Sequence, residues 1–167
     1  GLHHEYILEI SKPLIKNKLV LDIGCWTGQY TNLAALYAKK AYGIDPNKSA
    51  INFAKKQNPT AEFKIGSVLA IPYSNNTFDT VVFSEVLEHT PKDSENKALS
   101  EIHRVLKPNG ILILTTPRSH LLSIILDPAY FLIGHRHYSK EAIINFLISN
   151  GFAIKAISFS KGIVNLL

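Results

Sequence analysis

The sequence predicts a single α/β domain built on a doubly wound, mostly parallel sheet with helices on both faces. Three observations predict it. Short apolar runs alternate with stretches of helical periodicity; the first run ends in a glycine turn that opens a helical stretch; and no linker, repeat or low-complexity segment divides the chain. At 167 residues and 18.6 kDa, with 46% hydrophobic and 19% charged residues, the chain can bury one sizeable core. Strands separated by helices need crossover connections, which make neighbouring strands parallel.

Each element follows from local chemistry. Leu19-Val20-Leu21-Asp22-Ile23 has the composition of a buried strand and is closed by Gly24. From about Gly28 the spacing turns helical, with Leu33, Leu36 and Tyr37 on one face and Lys39-Lys40 at the end. Residues 41–45 form a second strand, and Pro46 favours a helix start just after it, with Ile51, Ala54 and Phe53 toward the sheet. A third strand is expected at 61–65, followed by a turn-rich loop over 72–77, and a fourth at 79–83. A helix from about Ser94 carries Ala98, Ile102, Val105 and Leu106, and stops at Lys107-Pro108-Asn109-Gly110. Residues 111–114 make a fifth strand. Ser139 caps a helix with Ile143, Phe146 and Leu147 inward, ended by Asn150-Gly151, and residues 152–159 make a sixth strand. Residues 162–167 offer only a short seventh, so a shortened carboxyl-terminal hairpin is expected. No element is predicted before Leu19.

Composition excludes several classes. One cysteine, Cys25, supports neither a disulfide framework nor a Cys-rich zinc site, which points to a reducing cytoplasm. No apolar run reaches the ~18–20 residues of a membrane span; the richest, 121–133, is broken by Asp127 and Pro128. The amino terminus lacks the layout of a secretory signal. The net charge of +5 comes from scattered lysines rather than a cluster with interleaved aromatics, so solvated helix ends are expected and not a nucleic-acid surface.

In a doubly wound sheet, ligands bind beyond the carboxyl ends of the strands where strand order reverses. Here the first strand runs into Gly24-Cys25-Trp26-Thr27-Gly28, and Asp45 closes the second strand twenty-one residues after Gly24. Gly24 permits a tight turn and Gly28 a close backbone approach, while a carboxylate at Asp45 can accept both hydroxyls of a ribose. An adenosine-containing ligand follows from the pair. The glycines do not fit the dinucleotide pattern G-x-G-x-x-G, and no Walker loop is present.

With these residues in place, the chain from about Leu19 to Phe159 resembles the class I S-adenosylmethionine-dependent methyltransferases, a Rossmann-like family. It is most similar to the small-molecule branch that includes ubiquinone and menaquinone biosynthesis enzymes. The likeness rests on five segments in order: 20–28, 42–45, 71–79 with Ser84-Glu85-Val86-Leu87-Glu88-His89, 106–112, and His137-Tyr138-Ser139 with the helix ending at 150–152. The resemblance implies S-adenosylmethionine as cofactor and a small-molecule methyl acceptor. It implies that Asp22, Gly24 and Gly28 surround the cofactor's methionine moiety and that Cys25 and Trp26, in the same turn, also border the cofactor. Asp45 with Pro46 would hold the ribose, Ser67 and Val68 would flank the adenine, and Ser84 and Glu85 would face the methionine end and the acceptor. The chain departs from the family twice, with Trp26 where a middle glycine is usual and Ser67 where an acid is usual.

Methyl transfer from a sulfonium is an in-line displacement, so a protein mainly positions the reactants and excludes water. His89, after the fourth strand, is the best-placed base, with Glu85 beside it; the other reading of His89 is a cap or pair near Glu85 and Glu88. Glu85, Glu88 and His89 also have the ligand types for a divalent cation, but solvated carboxylates are the expected reading and no metal is assigned. His120, His135, His137 and Tyr138 surround the aromatic segment 129–132. In the resembled branch this region covers the acceptor pocket, which implies an apolar or amphipathic acceptor. Arg118 and Arg136 would meet an acidic group on that acceptor, or solvent. Two other readings stand beside this one: a non-catalytic binding or regulatory subunit that kept the fold, and an RNA methyltransferase, which would need a basic face beside the pocket.

Overall fold

The computed structural model describes residues 2–117, 136–160 and 163–166. Seven strands form one sheet: β1 (Leu19–Ile23), β2 (Lys40–Asp45), β3 (Glu62–Ile65), β4 (Phe78–Ser84), β5 (Leu106–Pro117), β6 (Ile157–Ser160) and β7 (Ile163–Leu166). The helices among the described residues are α1 (Leu2–Ile15), α2 (Gln29–Ala35), α3 (Lys48–Gln57), α4 (Glu95–Val105) and α5 (Lys140–Ser149), with a 3-10 turn at Leu87–His89. Strand order is β3-β2-β1-β4-β5-β7-β6, parallel from β3 to β5 and antiparallel at β7. The doubly wound architecture is as expected. Order reverses between β1 and β4, and the loops after these two strands therefore diverge to opposite faces and leave a crevice.

The alternation within each strand divides the core. Val20, Val82 and Ile113 face α1 and α2, where they pack with Ile7, Ile15, Tyr30 and Ala34. Leu21, Val81, Phe83 and Leu114 face the other layer, with Ala98, Ile102, Ile143 and Leu147. Asn47 caps α3 by accepting from the Ala50 amide at 3.0 Å, and Ser139 caps α5 by accepting from the Ala142 amide at 3.1 Å.

The structure departs from the sequence expectation at several points: α2 ends at Ala35 and Lys40 opens β2, Leu106 starts β5 instead of ending α4, and Leu36 and Phe53 are exposed rather than inward. The turn at 107–110 lies inside β5, where the register with β4 jumps from Phe78–Leu106 to Thr80–Ile111 and Asn109 takes φ 63°. The sixth strand begins at Ile157 rather than Phe152, because within 152–160 only residues 157–160 pair with β7. The hairpin is short, each strand four residues long, as expected. Finally, α1 precedes the first predicted strand. Its inward positions Ile7, Ser11 and Ile15 recur at helical spacing, but the middle one is a serine, which hides the stripe. Ser11 Oγ lies 2.8 Å from the Tyr30 hydroxyl, so the buried hydroxyls satisfy each other. The Thr80 hydroxyl donates to the Leu14 carbonyl at 2.8 Å and ties the end of α1 to β4.

Candidate functional site

The crevice between β1 and β4 opens into a cavity of about 310 Å³, bordered by Asp22, Gly24, Cys25, Trp26, Thr27, Gln29, Tyr30, Ser84 and Glu85, with His4 and Ile7 of α1. The glycine turn builds one wall. Gly24 takes φ +75°, and a side chain there would collide with Val86. The amides of Gly24 and Cys25 both donate to the Ile44 carbonyl, at 2.8 and 3.0 Å. Gly28 closes the turn at φ +80° by donating to the Cys25 carbonyl at 2.8 Å, and an added Cβ would stand 2.7 Å from Phe63 Cζ.

Asp45 sits at the end of β2 with 7% of its surface exposed. Its Oδ2 accepts from the Trp26 amide at 3.0 Å and its Oδ1 from the Asn47 amide at 2.8 Å. Each oxygen keeps further acceptor capacity. Asp22 is buried beneath the turn and accepts from the Thr31 hydroxyl at 2.6 Å. Burial pushes its carboxyl up to about 7, and Asp45 adds to the rise against the Thr31 bond.

On the opposite wall Glu85 takes φ +54°, its amide donating to the Thr115 carbonyl at 3.0 Å. Its Oε1 accepts from the Thr115 hydroxyl at 2.9 Å, and Thr115 also meets Ser84 Oγ at 2.8 Å. Glu88 is buried on the 3-10 turn and accepts from the Thr116 hydroxyl at 3.2 Å; burial, then the Glu85 charge, lifts it to about 8. Arg136 braces this turn through bonds to the carbonyls of Leu87 at 3.0 Å and Thr90 at 2.6 Å, and pairs with Glu95 at 3.3 Å. Tyr138 donates to the same Glu95 at 2.9 Å.

The cavity thus unites Asp22, Gly24, Cys25, Trp26, Ser84 and Glu85 of the expected residues. The Cys25 thiol packs with Ile51, Ala54 and Phe63, and burial pushes its pKa up. Gly28, Asp45, Pro46, Ser67, Val68 and His89 lie outside its lining. Ser67 Oγ accepts from the Leu69 amide at 3.1 Å, and Val68 is buried in the main core. His89 is exposed at the end of the turn. Arg118, His120, residues 129–132 and His135 lie outside the described residues. Among those described, no three His, Cys, Asp or Glu side chains converge as metal ligands, and no helix is long and apolar enough to cross a membrane. A larger cavity, about 610 Å³, lies at the amino ends of the strands between residues 106–112 and 151–155. There β5 has no partner beyond Leu114 on the β7 side among the described residues.

Sequence reasoning missed Thr27 and Gln29, which flank Gly28, and also His4, Ile7, Tyr30 and Thr31. The last two lie just after Gly28 and were findable as the first turn of α2; nothing in the sequence points from α1 to this site. Two acids bordering one cavity, with a third, Asp45, bonded to the lining residue Trp26, suit a ligand that carries positive charge beside a diol.

Residues 21–114 match the family described as the methyltransferase domain. The chain is 33% identical over 147 residues to a demethylmenaquinone methyltransferase of Chlamydia caviae, covering 84% of this chain and 60% of that protein. It is 30% identical over 119 residues to a malonyl-[acyl-carrier protein] O-methyltransferase of Yersinia pestis, covering 71% and 44%. A solved S-adenosylmethionine-dependent methyltransferase from Methanosarcina mazei superposes with a TM-score of 0.80 at 20% identity over 94% of this chain and 95% of that one, which establishes the shared fold. The chain spans no more than about three fifths of the first curated relatives it matches.

Proposed function

The chain belongs to the methyltransferase domain family, and from that membership we propose that it transfers a methyl group from S-adenosylmethionine to a small, apolar or amphipathic molecule in a reducing, cytoplasmic setting. The observation that carries the reading is the pairing of a glycine turn with a buried Asp45 carboxylate on adjacent parallel strands, beside a cavity bordered by Asp22 and Glu85. When bound, S-adenosylmethionine supplies an electrophilic methyl on a sulfonium.

The residues fit that ligand. Asp45, with an acceptor site left on each oxygen, would hold the two ribose hydroxyls, with Pro46 beside it. Asp22 would face the cationic amino-acid end, where a positive charge favours its ionised form. Gly24 and Gly28 let the backbone approach; Ser67 and Val68 would flank the adenine. Glu85, fixed by Thr115, is a cavity-lining group able to accept a proton from an acceptor hydroxyl. His89, on the exposed side of the turn, would serve an acceptor entering along it. The names of the two curated relatives, one a quinone-type and one an acyl-carrier methyltransferase, support a small-molecule acceptor class.

Titration calorimetry with S-adenosylhomocysteine tests the reading. Saturable binding below millimolar concentration is expected, weakened in Asp45→Ala by one to two orders of magnitude as charge-assisted bonds are lost. No binding at millimolar ligand would leave only a shared fold. Transfer of label from S-adenosylmethionine to a panel of quinols and acyl carboxylates then identifies the acceptor.

A further inference from the structure

Trp26 stands in the glycine turn at φ +48°, a left-handed backbone that disfavours a bulky side chain, and it is held there by the hydrogen bond its amide donates to Asp45. The residue is 58% exposed. Five large apolar side chains stand exposed among the described residues, Trp26, Leu36, Phe53, Ile65 and Ile148, and of these Trp26 alone borders the cavity. The free protein therefore strains its backbone at this point and leaves the indole in water. Both features make sense if a flat ligand completes the contact. The carboxylate that takes the Trp26 amide is Asp45 at the end of β2, so the residue is tied directly to the group that would grip a ribose.

We propose that Trp26 is an affinity-determining cover over the nucleoside half of the bound cofactor, taking up in the complex the stacking contacts it lacks in the free protein. The inference rests on the cofactor reading above. It sets stability against affinity: glycine at this position relieves the left-handed backbone but removes the cover.

Trp26 is the chain's single tryptophan, so its fluorescence reports on this contact alone. Titration of the parent with S-adenosylhomocysteine should shift or quench the emission with the dissociation constant found by calorimetry. Methylthioadenosine should do the same and methionine should not. Trp26→Gly should unfold at higher urea than the parent yet bind S-adenosylhomocysteine about tenfold more weakly, the equivalent of one stacked ring; Trp26→Phe should stay within about threefold. A Trp26→Gly protein that binds within about twofold of the parent overturns the proposal, as does an emission change caused by methionine and not by methylthioadenosine. Failure of the parent itself to bind overturns the cofactor reading together with this one, which separates the two.

Discussion

Burial lifts the Asp22 carboxyl to about 7, with Asp45 adding to the rise, and lifts Glu88 to about 8, with Glu85 adding to it. Both acids hold a proton in the folded chain over a pH range where the unfolded chain has released it. Stability contributed by these groups is therefore present below about pH 4 and declines as pH rises, toward about 7 for Asp22 and about 8 for Glu88. Each contributes a loss on the order of 2–4 kcal/mol across its window. Urea unfolding of the parent between pH 5 and 8 should show this decline, and Asp22→Asn with Glu88→Gln should flatten it; a slope unchanged in the double variant would mean other groups set it. The glycine at position 28 gives a second test at this scale. Gly28→Ala forces a side chain to φ +80° and against the Phe63 ring, and should cost about 2–4 kcal/mol in the same assay. Asp22, Gly24, Gly28 and Asp45 were legible because their spacing along a strand and its turn is local. The Thr31 and Thr115 hydroxyls that hold the acids were not, since nothing local marks a threonine as a carboxylate's partner.

Loop 71–77 shows what local chemistry leaves out at the level of elements. Its turn-forming residues announce a loop, but its position comes from Arg104 of α4. That guanidinium donates to both oxygens of Glu101 at 2.9 and 2.8 Å, to the carbonyls of Ile71 and Tyr73 at 3.0 and 2.8 Å, and to Asn75 Oδ1 at 3.0 Å. Glu101 in turn accepts the Ile71 amide at 2.9 Å. Arg104 holds the Glu101 carboxyl down at about 2, so this brace contributes above about pH 4.5 and is lost as pH falls toward 2, a window separate from that of Asp22 and Glu88. Arg104→Lys keeps the charge without the planar fork, and Arg104→Ala loses both. Unfolding midpoints should fall in that order, with Arg104→Ala costing about 2–3 kcal/mol. Equal stability of the lysine variant and the parent would show that charge alone suffices. The contacts join residues about thirty apart, which explains why periodicity found the helix and the loop but not their union.

At the scale of the molecule, the alternation of apolar runs and helical stretches was enough to anticipate a parallel sheet with its order reversing beside the glycine turn. Pairing partners decided what it could not: where β6 begins, and how a turn can sit inside β5. The larger omission is α1, whose core stripe is interrupted by Ser11 and completed only by Tyr30 from another helix. This helix brings His4 and Ile7 to the cavity, while Ile7 and Ile15 are also buried in the layer shared with α2. A ligand that fills the cavity should therefore stabilise α1 as well as the glycine turn, although the two are distant in sequence. Hydrogen exchange with saturating S-adenosylhomocysteine should slow amides in α1 along with those in α2. Ile7→Ala should lose about 2–4 kcal/mol of stability from its cavity and weaken ligand binding at the same time. The two losses are linked because undocking α1 removes one wall of the site: binding to a protein whose competent form is only partly populated is reduced by that fraction. Ligand that protects α2 but leaves α1 exchange unchanged would place the helix in the fold and not in the site.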